Sequence, residues 1–239
     1  MYSPARTAEE PEYRAYCTRC LRAGSVCLCA GIRPFRTFFD VVLLQHPKER
    51  KNSIGTARFT HLTLEGSRLV AGAEFDADPA VNAILDDPGN YAVTLFPGEI
   101  ASNIAEDRDG FLATVPPRRR LVIFVIDGTW SQARGMLRKS ARLAALPRVS
   151  FSIDRPSQYK VRRQPREFCL STVEATARLV KLLDPAAPAD SLLETFARMV
   201  DAQLECATHG KEKKKTPLRS DRIAVDAAIG PMTEAEVSG

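Results

Sequence analysis

The sequence predicts an α/β protein built on a mostly parallel sheet. Three observations carry that expectation. Leu121 to Ile126 (LVIFVI) is apolar at every residue, as strands covered on both faces of a parallel sheet are. Short β-rich runs of this kind alternate along the chain with segments of helical periodicity. The chain of 239 residues is 44% hydrophobic, enough to bury a core as one domain or as a domain with a small appendage. Disorder of the whole chain is excluded by the same composition. The apolar stretches, such as Ile32 to Leu44, are short or broken by charge and fall below the roughly 20 residues that span a bilayer. The first seventeen residues lack the apolar core of a secretory signal. A cytoplasmic, reducing compartment and no membrane partner are therefore expected.

Residues 1–12 are polar with two prolines and are expected to be disordered. Cys17, Cys20, Cys27 and Cys29 follow as C-x2-C-x6-C-x-C, while Cys169 and Cys206 stand apart. In a reducing compartment such clustering points to a metal before disulfides. Four thiolates complete a tetrahedral Zn2+ shell and leave no position for a substrate water, so the ion would be structural. It would fix a knuckle over residues 13–33 that is too short to bury a core of its own. A C-x-x-C redox pair is the competing assignment, but that motif belongs between a strand and a helix, and this segment precedes the first strand.

Phe38 to Gln45 (FFDVVLLQ) reads as a buried strand ended by His46-Pro47. Ser53 to Leu64 has helical potential and stops at Gly66. Arg68 to Ala71 is a brief strand candidate, and Tyr91 to Phe96 (YAVTLF) a firmer one closed by Pro97-Gly98. Glu99 to Glu106 is expected to open a helix, with Glu99 near its positive end. After the strand Leu121 to Ile126 comes Asp127-Gly128-Thr129-Trp130, then helical spacing through Ala145. Val149 to Ile153 gives a further strand, Asp154 to Phe168 a basic loop, and Ser171 to Leu183 a helix opened by a capping box with Glu174. Ser191 to Cys206 is a last amphipathic helix, and residues 207–239 read as a disordered tail. The α/β domain proper is expected over residues 34–206.

The net charge of +5 hides an uneven distribution. Residues 118 to 166 carry thirteen cations against Asp127 and Asp154, a local charge of +11, leaving about −6 for the rest. Eleven of the thirteen are arginines, the side chain suited to bidentate phosphate contact. Gathered on one face they would bind nucleic acid by displacing counterions; scattered, they are ordinary solvated surface charge.

Ligands of parallel sheets gather beyond the carboxyl ends of the strands. Three such ends carry unusual residues: Phe96-Pro97-Gly98-Glu99, Asp127-Gly128-Thr129-Trp130, and Leu170-Ser171-Thr172. Asp127 would sit at the mouth of the sheet, where burial favours a proton acceptor, although Asp127 or Thr129 could equally cap the next helix. Trp130 is either a core residue or a stacking platform. The three histidines, His46, His61 and His209, offer no obvious Ser-His-Asp order. Neither G-x-G-x-x-G after a strand nor G-x-x-x-x-G-K-[ST] is present.

Asp127-Gly128-Thr129-Trp130 after an apolar strand resembles the D-x-T-W signature of the DTW-domain family. The resemblance extends, in order, to Gln45-His46-Pro47-x-Glu49, Leu95 to Glu99, Ser157-x-Tyr159-x-Val161-Arg162-Arg163-x-Pro165, and Leu170 to Ala175. The cysteine pattern is similar to that of family members as well, and the match covers roughly residues 13 to 206. It implies a SPOUT-like, trefoil-knotted fold, one of the few exceptions to the rule against threaded chains. It further implies tRNA-uridine aminocarboxypropyltransferase activity, with S-adenosyl-L-methionine as donor, tRNA as partner and no role for DNA. On that resemblance Asp127 is the candidate base or the anchor of the donor's amino group. Phe96, Pro97, Gly98, Glu99, Thr129, Trp130, Leu170, Ser171 and Thr172, with Asp127, would hold the donor. Tyr159, Arg162 and Arg163 would hold RNA. A SPOUT-like methyltransferase and a noncatalytic zinc-containing RNA-binding protein are the alternative classes, and the oligomeric state stays open.

Overall fold

The computed structural model describes residues 16–50, 55–152 and 170–215, the last ten as backbone only. Its centre is a six-stranded sheet made of β1 (Asp40–Gln45), β2 (Arg68–Ala71), β3 (Asn90–Leu95), β4 (Ser102–Asn103), β5 (Arg120–Asp127) and β6 (Arg148–Ser150). The strands lie in the order β2-β1-β5-β3-β6-β4, and every pairing is parallel. The longest strand, β5, is hydrogen-bonded along its length to β1 on one side and β3 on the other.

Around the sheet are α1 (Pro47–Arg50), α2 (Thr56–Thr63), α3 (Pro79–Leu85), α4 (Arg108–Ala113), α5 (Trp130–Lys139), α6 (Ala141–Ala144), α7 (Thr172–Leu183) and α8 (Asp190–Lys215). Successive strand residues face opposite sides, and both sides of this sheet are covered. Val41, Leu43, Leu121, Ile123 and Val125 pack with Phe59 of α2, Leu179 and Leu183 of α7, and Leu192 and Phe196 of α8. Val42, Leu44, Val122 and Phe124 pack with Val81 and Ile84 of α3 and Met136 and Leu137 of α5. That double coverage is why Leu121 to Ile126 contains no polar residue. The cysteine-bearing segment joins the first of these cores through the buried Cys20, and Arg58 of α2 donates to the Arg19 carbonyl at 2.9 Å.

Three expected elements differ. Glu99 to Glu106 is not a helix: Ser102 and Asn103 form the edge strand β4 on β6, and the Ile104 N–H donates to the Ser150 carbonyl at 2.9 Å. Pairing to a distant segment overrides local helical preference there. The helix expected to run to Ala145 breaks at Ser140, whose hydroxyl accepts the Phe75 N–H at 3.0 Å. The Asp76 carboxylate takes the N–H groups of Ala141 and Arg142 at 2.7 and 3.1 Å, starting α6 anew. The last helix runs to Lys215 rather than ending at Cys206. The compact α/β unit extends to Ala202, and the helical residues from Gln203 onward belong to a second unit. The expected disordered start, the basic loop after Ser152 and the tail beyond Lys215 lie outside the described residues.

Thr94, fully buried in β3, has a hydroxyl with no hydrogen-bond partner among the described residues. A buried donor left unsatisfied costs more than an apolar replacement of the same shape. Thr94→Val is expected to raise stability by about 1 kcal/mol, read as a higher urea midpoint at unchanged slope; a lower midpoint refutes the assignment.

Candidate active site

Because all the strands run the same way, their carboxyl ends open on one side of the sheet. Register sets Gln45, the last residue of β1, directly beside Asp127, the last of β5. Asp127 is only 6% exposed. Its Oδ2 accepts a hydrogen bond from Gln45 Nε2 at 3.0 Å and its Oδ1 one from Thr172 Oγ1 at 2.5 Å. The carboxylate is thereby fixed to a neighbouring strand and to the first turn of α7. It does not cap α5. That role falls to Thr129, whose Oγ1 accepts the Gln132 N–H at 3.3 Å while Gln132 Oε1 accepts the Thr129 N–H at 2.6 Å. A Cβ at Gly128 would come within 3.1 Å of the Gln132 side chain, so a larger residue in this turn would press on the cap. Ser171 and Glu174 close the same reciprocal box at the start of α7.

Next to Asp127 lies a hollow of about 180 Å³, lined in part by Phe96, Pro97, Gly128, Trp130, Phe151 and Thr172. Its wall is largely apolar and carries the rings of Phe96, Trp130 and Phe151. The Phe96 and Trp130 rings meet edge to face at 5.8 Å, and the Arg148 guanidinium stands 5.9 Å from the Phe96 ring centre. Trp130 remains 40% exposed, so it is no core residue. Thr172 both lines the hollow and donates to Asp127, which puts the carboxylate immediately behind the wall.

The structure thus brings Phe96, Pro97, Trp130, Leu170 and Thr172 together on one hollow. Gly98, Glu99, Thr129 and Ser171 are not on its lining: Gly98 lies under Arg148, Glu99 is exposed, and the other two are engaged in helix caps. Tyr159, Arg162 and Arg163 lie outside the described residues. Gln45, Arg148 and Phe151 are site residues to which the sequence reading gave no role. For Gln45 the signal was a polar side chain closing the apolar run of β1.

The described cations of the basic segment do not all share one face. Arg118, Arg119 and Arg120 lie at the amino end of β5, and eight strand residues at about 3.3 Å each put them over 20 Å from the end that carries Asp127. Arg142 is paired with Asp86 and Asn82. Among the described cations of this segment, Arg148 is the one shown against the Phe96 ring. A strand that crosses the sheet separates charges that are close in sequence.

The four N-terminal cysteines form a second centre. Their sulfurs all lie within 4.8 Å of one another, with Cys17 and Cys29 3.7 Å apart and Cys20 and Cys27 3.8 Å apart. These separations are far too long for disulfides. Burial and the neighbouring thiols push Cys29 up to about 12, while the backbone N–H groups of Cys20 and Arg19 hold Cys17 down at about 6. Four convergent soft donors, with no carboxylate among them, could hold a metal ion.

An all-parallel α/β protein with an aromatic hollow at the strand ends and a separate four-cysteine centre is the class these features define. Residues 14–204 match the DTW domain, and the chain belongs to that family. It is 30% identical over 200 residues to tRNA-uridine aminocarboxypropyltransferase 2 of Mus musculus, a match covering 81% of this chain and 64% of that protein. The protein of the same name in Macaca fascicularis is 30% identical over 74% of this chain and 59% of its own length. In Drosophila melanogaster the figures are 32%, 74% and 70%. The chain therefore spans about six-tenths of the length of the two mammalian relatives. No solved structure matches it.

Replacing Gln45 by leucine removes one donor from a buried carboxylate. Gln45→Leu is expected to lower stability by about 1–3 kcal/mol in chemical denaturation. Wild-type stability in that variant refutes the structural importance of the Gln45–Asp127 bond.

Proposed function

We propose that the protein transfers the 3-amino-3-carboxypropyl group of S-adenosyl-L-methionine to N3 of a uridine in tRNA. The names of the relatives point to this reaction. The observation that carries it is Asp127, buried and held between Gln45 and Thr172 directly behind an aromatic hollow. The aromatic wall suits a purine nucleoside, so the residues present fit the donor. When bound, the donor supplies a sulfonium-activated carbon and leaves as methylthioadenosine once the N3–carbon bond has formed and the carbon–sulfur bond has broken.

The chain's own residues then have three tasks. Phe96, Pro97, Trp130 and Leu170 pack against the adenosine and exclude water. Asp127 receives the proton of N3–H, its position fixed in advance by two donors. Tyr159, Arg162 and Arg163, with Arg148 at the rim, hold the RNA backbone and the displaced base. N3 lies on the Watson–Crick edge, so the target uridine is in a loop or is extruded.

We read the fold as SPOUT-like and knotted. The strand order supports this, because β5 enters between β1 and β3, and β6 between β3 and β4, after those neighbours have been laid down. The cysteine centre we assign to structural Zn2+. Zn–S bonds of about 2.3 Å in a tetrahedron place the sulfurs about 3.8 Å apart, in agreement with the two separations above.

Incubation of the protein with S-adenosyl-L-methionine and unmodified tRNA, followed by nucleoside mass spectrometry, is expected to show a uridine heavier by the whole aminocarboxypropyl group. A gain of one methyl group instead supports the methyltransferase class, and no gain supports a binding protein. Asp127→Asn is expected to lower transfer by roughly 10²–10⁴-fold; near wild-type transfer by a folded variant removes its role. Purified protein is expected to carry stoichiometric zinc, and Cys17→Ser to lose most of it together with thermal stability. Substoichiometric zinc in the wild type, with no loss on substitution, would sink the structural assignment.

A further inference from the structure

The amino end of the sheet, opposite the proposed reaction centre, holds a second cleft. It measures about 310 Å³ and opens between the starts of β1, β2, β3 and β5. Arg68, Arg118 and Arg120 line it together with Asp40, Asp87 and Asn90. Asp40 Oδ2 is paired with Arg120 at 3.1 Å and Asp87 Oδ1 accepts the Gly89 N–H at 2.8 Å, so three guanidiniums against two carboxylates leave the lining a net charge of +1. Arg68 and Arg118 form no ion pair or side-chain hydrogen bond among the described residues. The cleft therefore offers two uncommitted guanidiniums, groups whose planar fork matches the oxygens of phosphate.

The backbone adds an independent observation. Arg118 has φ 66°, in the left-handed region that non-glycine residues avoid. It is the third residue of a turn closed by the Arg119 N–H on the Pro116 carbonyl at 3.1 Å, the position at which such turns favour glycine or asparagine. A long arginine here is unfavourable for the turn and brings nothing to the core, since it is exposed. Strain of this kind concentrates where a side chain serves a ligand.

We propose that this cleft is a phosphate-binding site in which Arg68 and Arg118 grip the anion and the Asp40–Arg120 pair fixes one wall. The phosphate is either a backbone phosphodiester of a bound RNA or a free polyphosphate. Only the RNA source rests on the function proposed above. At over 20 Å along β5 from Asp127, the cleft is separate from the transfer site, and an RNA reaching both would contact opposite ends of one sheet.

The test compares wild type with Arg118→Gly, a substitution that suits the left-handed turn and removes only the guanidinium. Thermal unfolding of the full chain is expected at or above the wild-type temperature. Inorganic pyrophosphate, titrated by calorimetry, is expected to bind the wild type and to weaken about tenfold in the variant. Unmodified tRNA, titrated by anisotropy over a salt series, is expected to weaken at every salt concentration, with the log–log salt slope reduced by about 1. Loss in both arms, or in the tRNA arm alone, supports the RNA source. Loss of pyrophosphate binding with unchanged tRNA binding supports a free polyphosphate. Equal binding by the two proteins in both arms overturns the site. The pyrophosphate arm is independent of transferase activity, so failure of the proposed reaction and failure of this site give different results.

Discussion

The pairing of β1 with β5 is the constraint on which the rest of the structure depends. Six consecutive register pairs from Asp40↔Val122 to Gln45↔Asp127 align two apolar strands with their polar last residues side by side. A slip by one residue would turn every side chain to the opposite face. Val41 and Leu43 would then leave the core under α2 and α7, and Gln45 would leave Asp127. Packing of both cores and the position of the site's carboxylate are therefore set by the same hydrogen bonds. The hydrophobic energy that holds the sheet also holds the chemistry in place.

The most legible parts of the fold were those whose signals are local. Leu121 to Ile126 announced a doubly covered strand because its environment is apolar on both sides. The box between Ser171 and Glu174 could be read from spacing, because capping joins residues three apart. What escaped was set at a distance. The helix expected over Glu99 to Glu106 gave way to an edge strand through Ser150, and α5 stopped at Ser140 because Phe75 and Asp76 supply the partners. At the site, the strand ends indicated Asp127, Phe96, Trp130 and Thr172. They did not indicate Gln45 as a partner of Asp127, since nothing in one strand states which residue of another will lie opposite.

Charge shows the same division between sequence and space. The run from Arg118 to Arg166 is nearly free of acids, yet β5 carries its first three arginines to one end of the sheet while the chain returns Arg148 to the other. A polyanion that met only the carboxyl ends would ignore Arg118 and its neighbours. One that also met the amino ends would be bound across the whole sheet, which favours an extended, semi-rigid ligand over a small one.

The cysteine centre bears on this arrangement through packing rather than chemistry. Cys20 is buried in the core beneath α2, the Arg22 guanidinium lies 5.2 Å from the Phe59 ring centre, and Arg198 of α8 crowds Gly31 so closely that a Cβ there would collide with it. The segment thus touches α2 and α8. Without a cation the four close thiols do not ionise alike: backbone N–H groups lower Cys17, while burial and the neighbouring thiols raise Cys29. A divalent ion bound there would let all four ionise together. Its binding free energy would reach α2, which packs directly on β1 and α7. Those are the two elements that supply Gln45 and Thr172 to Asp127. Losing such an ion would accordingly loosen the carboxylate's supports before it disturbed β5, which both neighbouring strands hold.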